Sequence, residues 1–306
     1  MNFMKAFLKK TTYFILPILV LLIAVELMLR QIPNDYSYKK NYLEKQSNTI
    51  KVLFLGNSHA FYGINPDLIN EPTFNAAHVS QSIDYDYKIL KQFEHQLDSL
   101  KTIVLPIDYF SFYKNLERGA EKWRVKNYVI YYGFGGKFSS TNYLELMNGA
   151  VKDQINRLVK YYYQKKSDVN CNTLGWGKTY HSTNSKDLVA TGASAAKRHK
   201  AKSDEAFQSN LQTLDSIIAF AEQHHCKVIL YTSPAFETYV RHLDTAQLNR
   251  TINAVKEISK QYKAIHYVNF LNDSTFVHDD FYDADHLNEI GAQKLTHKLD
   301  SLIHLN

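Results

Sequence analysis

Cysteine is scarce. The 306-residue chain holds two, Cys171 and Cys226, too few for a disulfide scaffold or a cysteine-rich zinc site. They read either as a pair in an exported domain or as two separate buried thiols. Six prolines and 11 glycines exclude a collagen-like chain. Charged residues make up 22% and apolar residues 45%, which excludes a disordered one. Long apolar runs are missing except for one near the N-terminus, so a multi-span membrane protein is excluded as well. No internal repeat is visible. His224-His225-Cys226 lies where a helix enters a strand, with no partnering ligand in view, so no metal and no cofactor are expected.

An excess of one charge sign is nearly missing too. The net charge is +6, and residues 1–40 carry six basic and two acidic side chains. The remaining body is close to neutral, but 118–203 holds 16 Lys+Arg against 5 Asp+Glu. This asymmetry belongs to one segment and to the membrane-flanking N-terminus, so nucleic acid is not the expected partner.

The one long apolar run is Tyr13–Leu29, YFILPILVLLIAVELML, with Glu26 as its only charge. Its length is at the short end of what crosses a bilayer. Lys5, Lys9 and Lys10 precede it, which places the N-terminus in the cytoplasm by the positive-inside rule. No A-x-A cleavage signal follows. An uncleaved signal anchor is expected, with a cleaved signal peptide as the alternative. Either way the body is periplasmic or at the cell surface.

The body alternates strands and helices. Ile50–Leu55, Thr102–Ile107, Lys227–Thr232 and His266–Phe270 are short runs rich in apolar residues, and Thr73–Asn75 fits a further short strand. Ser82–Leu100, Asp204–His224, Thr245–Tyr262 and Asn288–Leu305 carry helical spacing, the last with Ile290, Leu295, Leu299 and Leu302 as its stripe. This pattern implies a three-layer αβα sandwich with a mostly parallel, flavodoxin-like sheet, preceded by one N-terminal transmembrane helix. The expected organisation is an anchor and stalk at 1–40, then an α/β domain at 41–306 with an inserted aromatic and basic subdomain at about 118–203. Within the insert, Ala193–Lys202 reads as a mobile loop.

Ligands of such sheets bind at the carboxyl ends of the strands. Gly56-Asn57-Ser58-His59 follows the first strand, and Asp283-Ala284-Asp285-His286 follows the last. A glycine turn can present a serine at a helix start. A serine hydroxyl needs a base, and a histidine base needs a group that fixes its tautomer. Taken singly, each block also reads as a helix cap, with Asp285 or Asn288 capping the last helix.

Together the blocks make the chain resemble the SGNH (GDSL-like) hydrolase superfamily. The resemblance rests on LFLGNSH (Leu53–His59), with Asn57 where GDSL members have Asp, and on DADH (Asp283–His286). It covers about residues 50–117 and 204–305. It implies Ser58 as nucleophile, His286 as general base and acid, and Asp283 as its orienting carboxylate, with Asp285 as the alternative. Gly56, Asn57, Asn75 and Asp108 are the implied oxyanion and substrate positions. The chain departs from the family pattern in having no glycine after the second strand and Asp108 in place of an asparagine after the third. Asn75 would supply the missing amide donor.

The variant pattern resembles membrane-tethered, extracytoplasmic members of the superfamily. It implies a serine esterase or O-acyltransferase acting on acyl groups of a cell-envelope glycan, with an acylated glycan or small ester as substrate and a membrane acyltransferase as a possible partner. The departures favour an alternative, a catalytically inactive glycan-binding or assembly subunit. The aromatics of 118–203, among them Trp123, Tyr128, Tyr132, Tyr163 and Trp176, read either as sugar-stacking faces or as the core of a helical cap.

Overall fold

A computed structural model of the chain describes residues 2–135 and 139–305. In chain order, the main elements are α1 (Asn2–Arg30), α2 (Asp35–Gln46), β1 (Val52–Phe54), α3 (Ser58–Gly63), β2 (Thr73–Asn75), α4 (Ile83–Phe93) and β3 (Thr102–Pro106). There follow α5 (Val151–Leu158), α6 (Leu188–His199), α7 (Phe207–Gln223), β4 (Lys227–Thr232), α8 (Thr245–Gln261), β5 (Ile265–Asn269), β6 (Phe281–Asp283), β7 (His286–Leu287) and α9 (Glu289–Ile303). They fall into two compact units, Met1–Tyr38 with Trp123–Val169, and Lys39–Lys122 with Asn170–Asn306. The segment 118–203 is thus divided between the two.

The larger unit is built on a five-stranded parallel sheet in the order β2-β1-β3-β4-β5. Every residue of β1, β2 and β3 is buried, as expected for strands covered on both faces. β5 lies at an edge and is half-exposed. This is the flavodoxin-like order, in which the winding reverses between β1 and β3. The carboxyl ends of those two strands therefore frame a crevice, with Gly56–Ser58 on one side and Asp108 on the other.

Two expectations change here. Ala193–Lys202 lies largely in helix α6, not in a loop. Asp187 caps that helix by accepting from the amides of Val189 and Ala190, an alanine run favours it, and Lys197, Arg198 and His199 suit its carboxyl end. Ile290 sits in the first turn of α9 and is exposed, while Ala292, Leu295 and Leu299 bury that helix. Asn288 caps α9, accepting from Ile290 N and Gly291 N.

In the smaller unit, α1 is exposed along most of its length but seated at its end. Leu29 and Ile32 are buried, and Glu26 is 8% exposed. Glu26 accepts from Arg30 Nε at 2.6 Å, Glu145 N at 3.0 Å and Leu146 N at 2.9 Å. Buried Glu145 pairs in turn with Lys126, with Arg157 Nη1 at 2.8 Å and with the Tyr131 hydroxyl at 2.8 Å. Tyr128 and Tyr132 are buried, whereas Trp123 and Tyr163 are exposed. Part of the local positive charge is thus consumed internally, and part of the aromatic content is core.

Candidate active site

Gly56 makes the turn out of β1. Its φ of +116° lies where side chains are strained, and a Cβ there would stand 2.5 Å from the ring of Pro106. Its amide donates to Asp86 Oδ1 at 2.7 Å. Asn57 follows as the cap of α3, its Oδ1 accepting from His59 N at 2.8 Å. Ser58 is then the first helical residue, at the mouth of the crevice.

The histidine arrives from the far end of the chain on a tight hairpin. β6 and β7 are antiparallel, with Asp283 opposite His286 across Ala284-Asp285. The Ser58 hydroxyl lies 2.9 Å from His286 Nε2, and His286 Nδ1 lies 2.9 Å from Asp283 Oδ1. The same carboxylate oxygen accepts from Asp285 N at 3.2 Å and His286 N at 2.9 Å, which fixes its place. With the proton on Nδ1, His286 donates to Asp283 and presents a lone pair to the serine.

Around this triad lies a buried charged layer. His59 Nδ1 is 2.9 Å from Asp108 Oδ2, and His59 Nε2 is 3.7 Å from Asp285 Oδ2. Both contacts are ion pairs without the alignment of a hydrogen bond. Burial works to discharge His59, but Asp108 and Asp285 outweigh it and push its pKa up to about 10. Burial likewise works to raise Asp108. The His59 charge, with hydrogen bonds from Asn57 Nδ2 at 3.0 Å and Ser233 N at 3.0 Å, holds it down at about 2.

Asp285 is buried, and neither of its carboxylate oxygens receives a hydrogen bond from a described residue. It is surrounded instead by His286 Nδ1 at 3.6 Å, His59 Nε2 at 3.7 Å, His199 Nδ1 at 3.8 Å and Arg198 Nη2 at 3.8 Å. Burial opposes its ionisation, but the neighbouring histidines, His286 foremost and then His59, hold its carboxyl well below the usual range. His199 is kept neutral, chiefly by burial and then by the positive charges of Lys114 and His59. Its Nδ1 meets the Tyr239 hydroxyl at 2.8 Å.

His59, Asp285 and His286 bring possible metal-ligand atoms within 4.8 Å of one another. The two histidines are engaged otherwise. A metal on His286 Nδ1 would displace Asp283, and His59 is held as a cation.

The expected oxyanion donors are corrected by this geometry. Both amide hydrogens of Asn75 go to backbone, to Ala60 O at 2.8 Å and Ile64 O at 3.0 Å, while its Oδ1 accepts from Ala77 N. The Gly56 amide is spent on Asp86, and Asp108 is an acceptor. Asn57 and Asp108, two of the three departures from the resembled pattern, meet each other in one hydrogen bond across the crevice. Three further participants carried no sequence signal strong enough to assign them. His59 adjoins the serine without a distinguishing spacing, His199 lies in a segment read as a loop, and a stack of tyrosines draws on three distant segments. Tyr62 and Tyr180 stack at 3.6 Å, Tyr180 and Tyr282 at 3.7 Å, and the first two present their rings edge-on to His286 at 6.3 and 5.5 Å.

Neither a protein-family model nor a curated protein matches the chain. In fold, the chain is similar to several solved structures. One, described as a platelet activating factor from Streptococcus pneumonia, is 11% identical with a TM-score of 0.48, over 96% of this chain and 99% of the other. A second, described as an acylhydrolase from Bacteroides fragilis, is 14% identical with a TM-score of 0.42, over 86% and 93%. A third, described as a GDSL-like lipase from Bacteroides thetaiotaomicron, is 11% identical with a TM-score of 0.41, over 88% and 98%. The chemistry of the site rests on its own residues.

Proposed function

We propose that this protein is a membrane-anchored, extracytoplasmic serine esterase or O-acyltransferase. It would act through an acyl-enzyme on O-acyl groups of a cell-envelope glycan. The observation that carries the proposal is the chain of two 2.9 Å contacts from Ser58 Oγ through His286 to Asp283 Oδ1. As Ser58 Oγ attacks the acyl carbonyl, its proton passes to His286 Nε2. The imidazolium is held by Asp283 and sits beside the second buried carboxylate, Asp285. Collapse of the tetrahedral intermediate releases the alcohol, which takes the proton from Nε2, and leaves the acyl group on Ser58. A second hydroxyl, from water or from a sugar, then gives its proton to His286 and accepts the acyl group. The first half is shared, so an esterase and a transferase differ only in the acceptor.

The apolar N-terminal helix supports the extracytoplasmic setting, and the resemblance to tethered family members supports the glycan. A specific observation favours a second reading, a non-catalytic binding or assembly subunit: the side chains expected to line an oxyanion hole are engaged elsewhere. A fluorophosphonate probe on the folded protein separates the two. Labelling of wild type, its loss in Ser58→Ala, and a fall of about 10²–10⁴-fold in chromogenic-ester turnover in His286→Ala are expected. Folded wild type that stays unlabelled would favour the binding subunit. Adding a glycan acceptor to the ester assay then distinguishes hydrolysis from transfer.

A further inference from the structure

We infer that helix α5 and the π-helical turn that continues it, Val159–Tyr163, form a membrane-surface collar seated in the headgroup layer beside the end of α1. This rests on the proposal that α1 is a membrane anchor. The helix has three faces where a soluble amphipathic helix has two. One face is packed on the protein: Gln154 is buried and donates to Glu145 O and Asn148 O, and Arg157 reaches Glu145. A second face is polar and exposed, with Lys152, Asp153 and Asn156. Between them runs an apolar stripe at four-residue spacing, Val151, Ile155 and Val159, which is 70%, 53% and 44% exposed. Tyr163 follows at 85%.

The position of this stripe identifies its occupant. Tyr162 donates to Met28 O at 3.0 Å, and Arg30 Nη2 to Tyr143 O at 2.5 Å. The segment is therefore tied to the last turns of α1. From Tyr13 to Leu29 that helix rises about 26 Å, close to the ~30 Å hydrocarbon core, so Met28 stands near the boundary of the bilayer. A stripe held at that level meets acyl chains and headgroups. Tyr161, Tyr162 and Tyr163 suit that depth. Lys152, Lys165 and Lys166 would face anionic headgroups, while Lys160 is paired with Asp168 Oδ1 at 3.0 Å. Glu26, the one charge of the apolar run, is kept from lipid by its bonds to Glu145 N and Leu146 N.

The test places an environment-sensitive fluorophore on single added cysteines in the full chain, reconstituted in phosphatidylcholine–phosphatidylglycerol vesicles. Both native cysteines are buried, and the unsubstituted chain gives the labelling blank. At Ile155→Cys, with Val159→Cys as a repeat, emission should shift to the blue and be quenched by lipid spin-labelled near the headgroup. At Asp153→Cys, on the polar face, it should do neither. At Leu19→Cys, quenching by lipid spin-labelled deep in the chain reports the anchor. Quenching at position 19 with position 155 behaving like 153 overturns the collar and leaves the anchor standing. A blue shift at 155 without lipid quenching means that protein covers the stripe, and also overturns it. Loss of quenching at 19 removes the anchor, and the collar with it.

Discussion

His59 is a buried cation between two buried carboxylates, and its removal takes the nearest cation from Asp108 and leaves Asp285 to the more distant Arg198. Breaking a buried pair from one side costs about 3–5 kcal/mol. His59→Gln should therefore lower stability by an amount of that order. It should also lower ester turnover, because Asp285 and the Asn57–Asp108 bond that steadies the serine turn both lean on this ring. The pH dependence gives a signature. The His59 pKa is raised from 6.5 to about 10, so its contribution is complete below about 6.5 and is lost as pH rises towards 10. The Asp108 pKa is lowered from 3.8 to about 2, so its contribution is complete above 3.8 and is lost as pH falls towards 2. Urea midpoints of wild type should decline through the alkaline range. Those of His59→Gln should be lower at neutral pH and flatter there, and an unchanged alkaline slope would remove His59 from the account.

The turn after β1 depends on α4 as well as on its own glycine. Asp86 accepts from Gly56 N and from Gln81 Nε2 on the same oxygen. Burial pushes its carboxyl up to about 8, against those two hydrogen bonds. Between pH 3.8 and 8 the folded protein thus holds a proton that the unfolded chain has released, and stability falls as pH rises. Asp86→Asn keeps an oxygen acceptor for both donors and carries no charge. It should be more stable than wild type above pH 8, by up to several kcal/mol, and little changed near pH 4. Equal loss at both ends would mean that the site cannot accept an amide.

The same turn indicates what the sequence could and could not convey. Short apolar runs ending in Gly56-Asn57-Ser58 and a late Asp-x-x-His were legible because strand burial and the chemistry of a serine base each require particular residue types in a particular order. That the last block is a two-residue hairpin, with Asp283 paired to His286, depends on register and was not legible. Nor was the fate of Asn75. An amide that could serve an oxyanion serves equally well to bond Ala60 O and Ile64 O, and only packing decides. Helix α6 was missed because its basic, small-residue composition matches a solvated loop until Asp187 is recognised as a cap.

For the chain as a whole, attachment to the bilayer is expected to come from apolar burial rather than from charge. The helix Phe3–Arg30 is strongly apolar and little covered by protein, and each buried methylene contributes about 0.8 kcal/mol. The full chain should stay with membranes through high-salt and alkaline-carbonate washes and leave them only in detergent. Release by salt alone would point to a peripheral, electrostatic attachment.

The contact between Ser58 and His286 joins positions 228 residues apart. On the proposed function, the nucleophile is synthesised well before its base. Until β4, β5 and the closing hairpin have found their register, Ser58 is an ordinary alcohol with no group to take its proton. Reactivity would then arise only when the sheet is complete. A nascent or truncated chain would carry the serine turn without the power to acylate it, and probe labelling at Ser58 would double as a measure of how much of a preparation has finished folding.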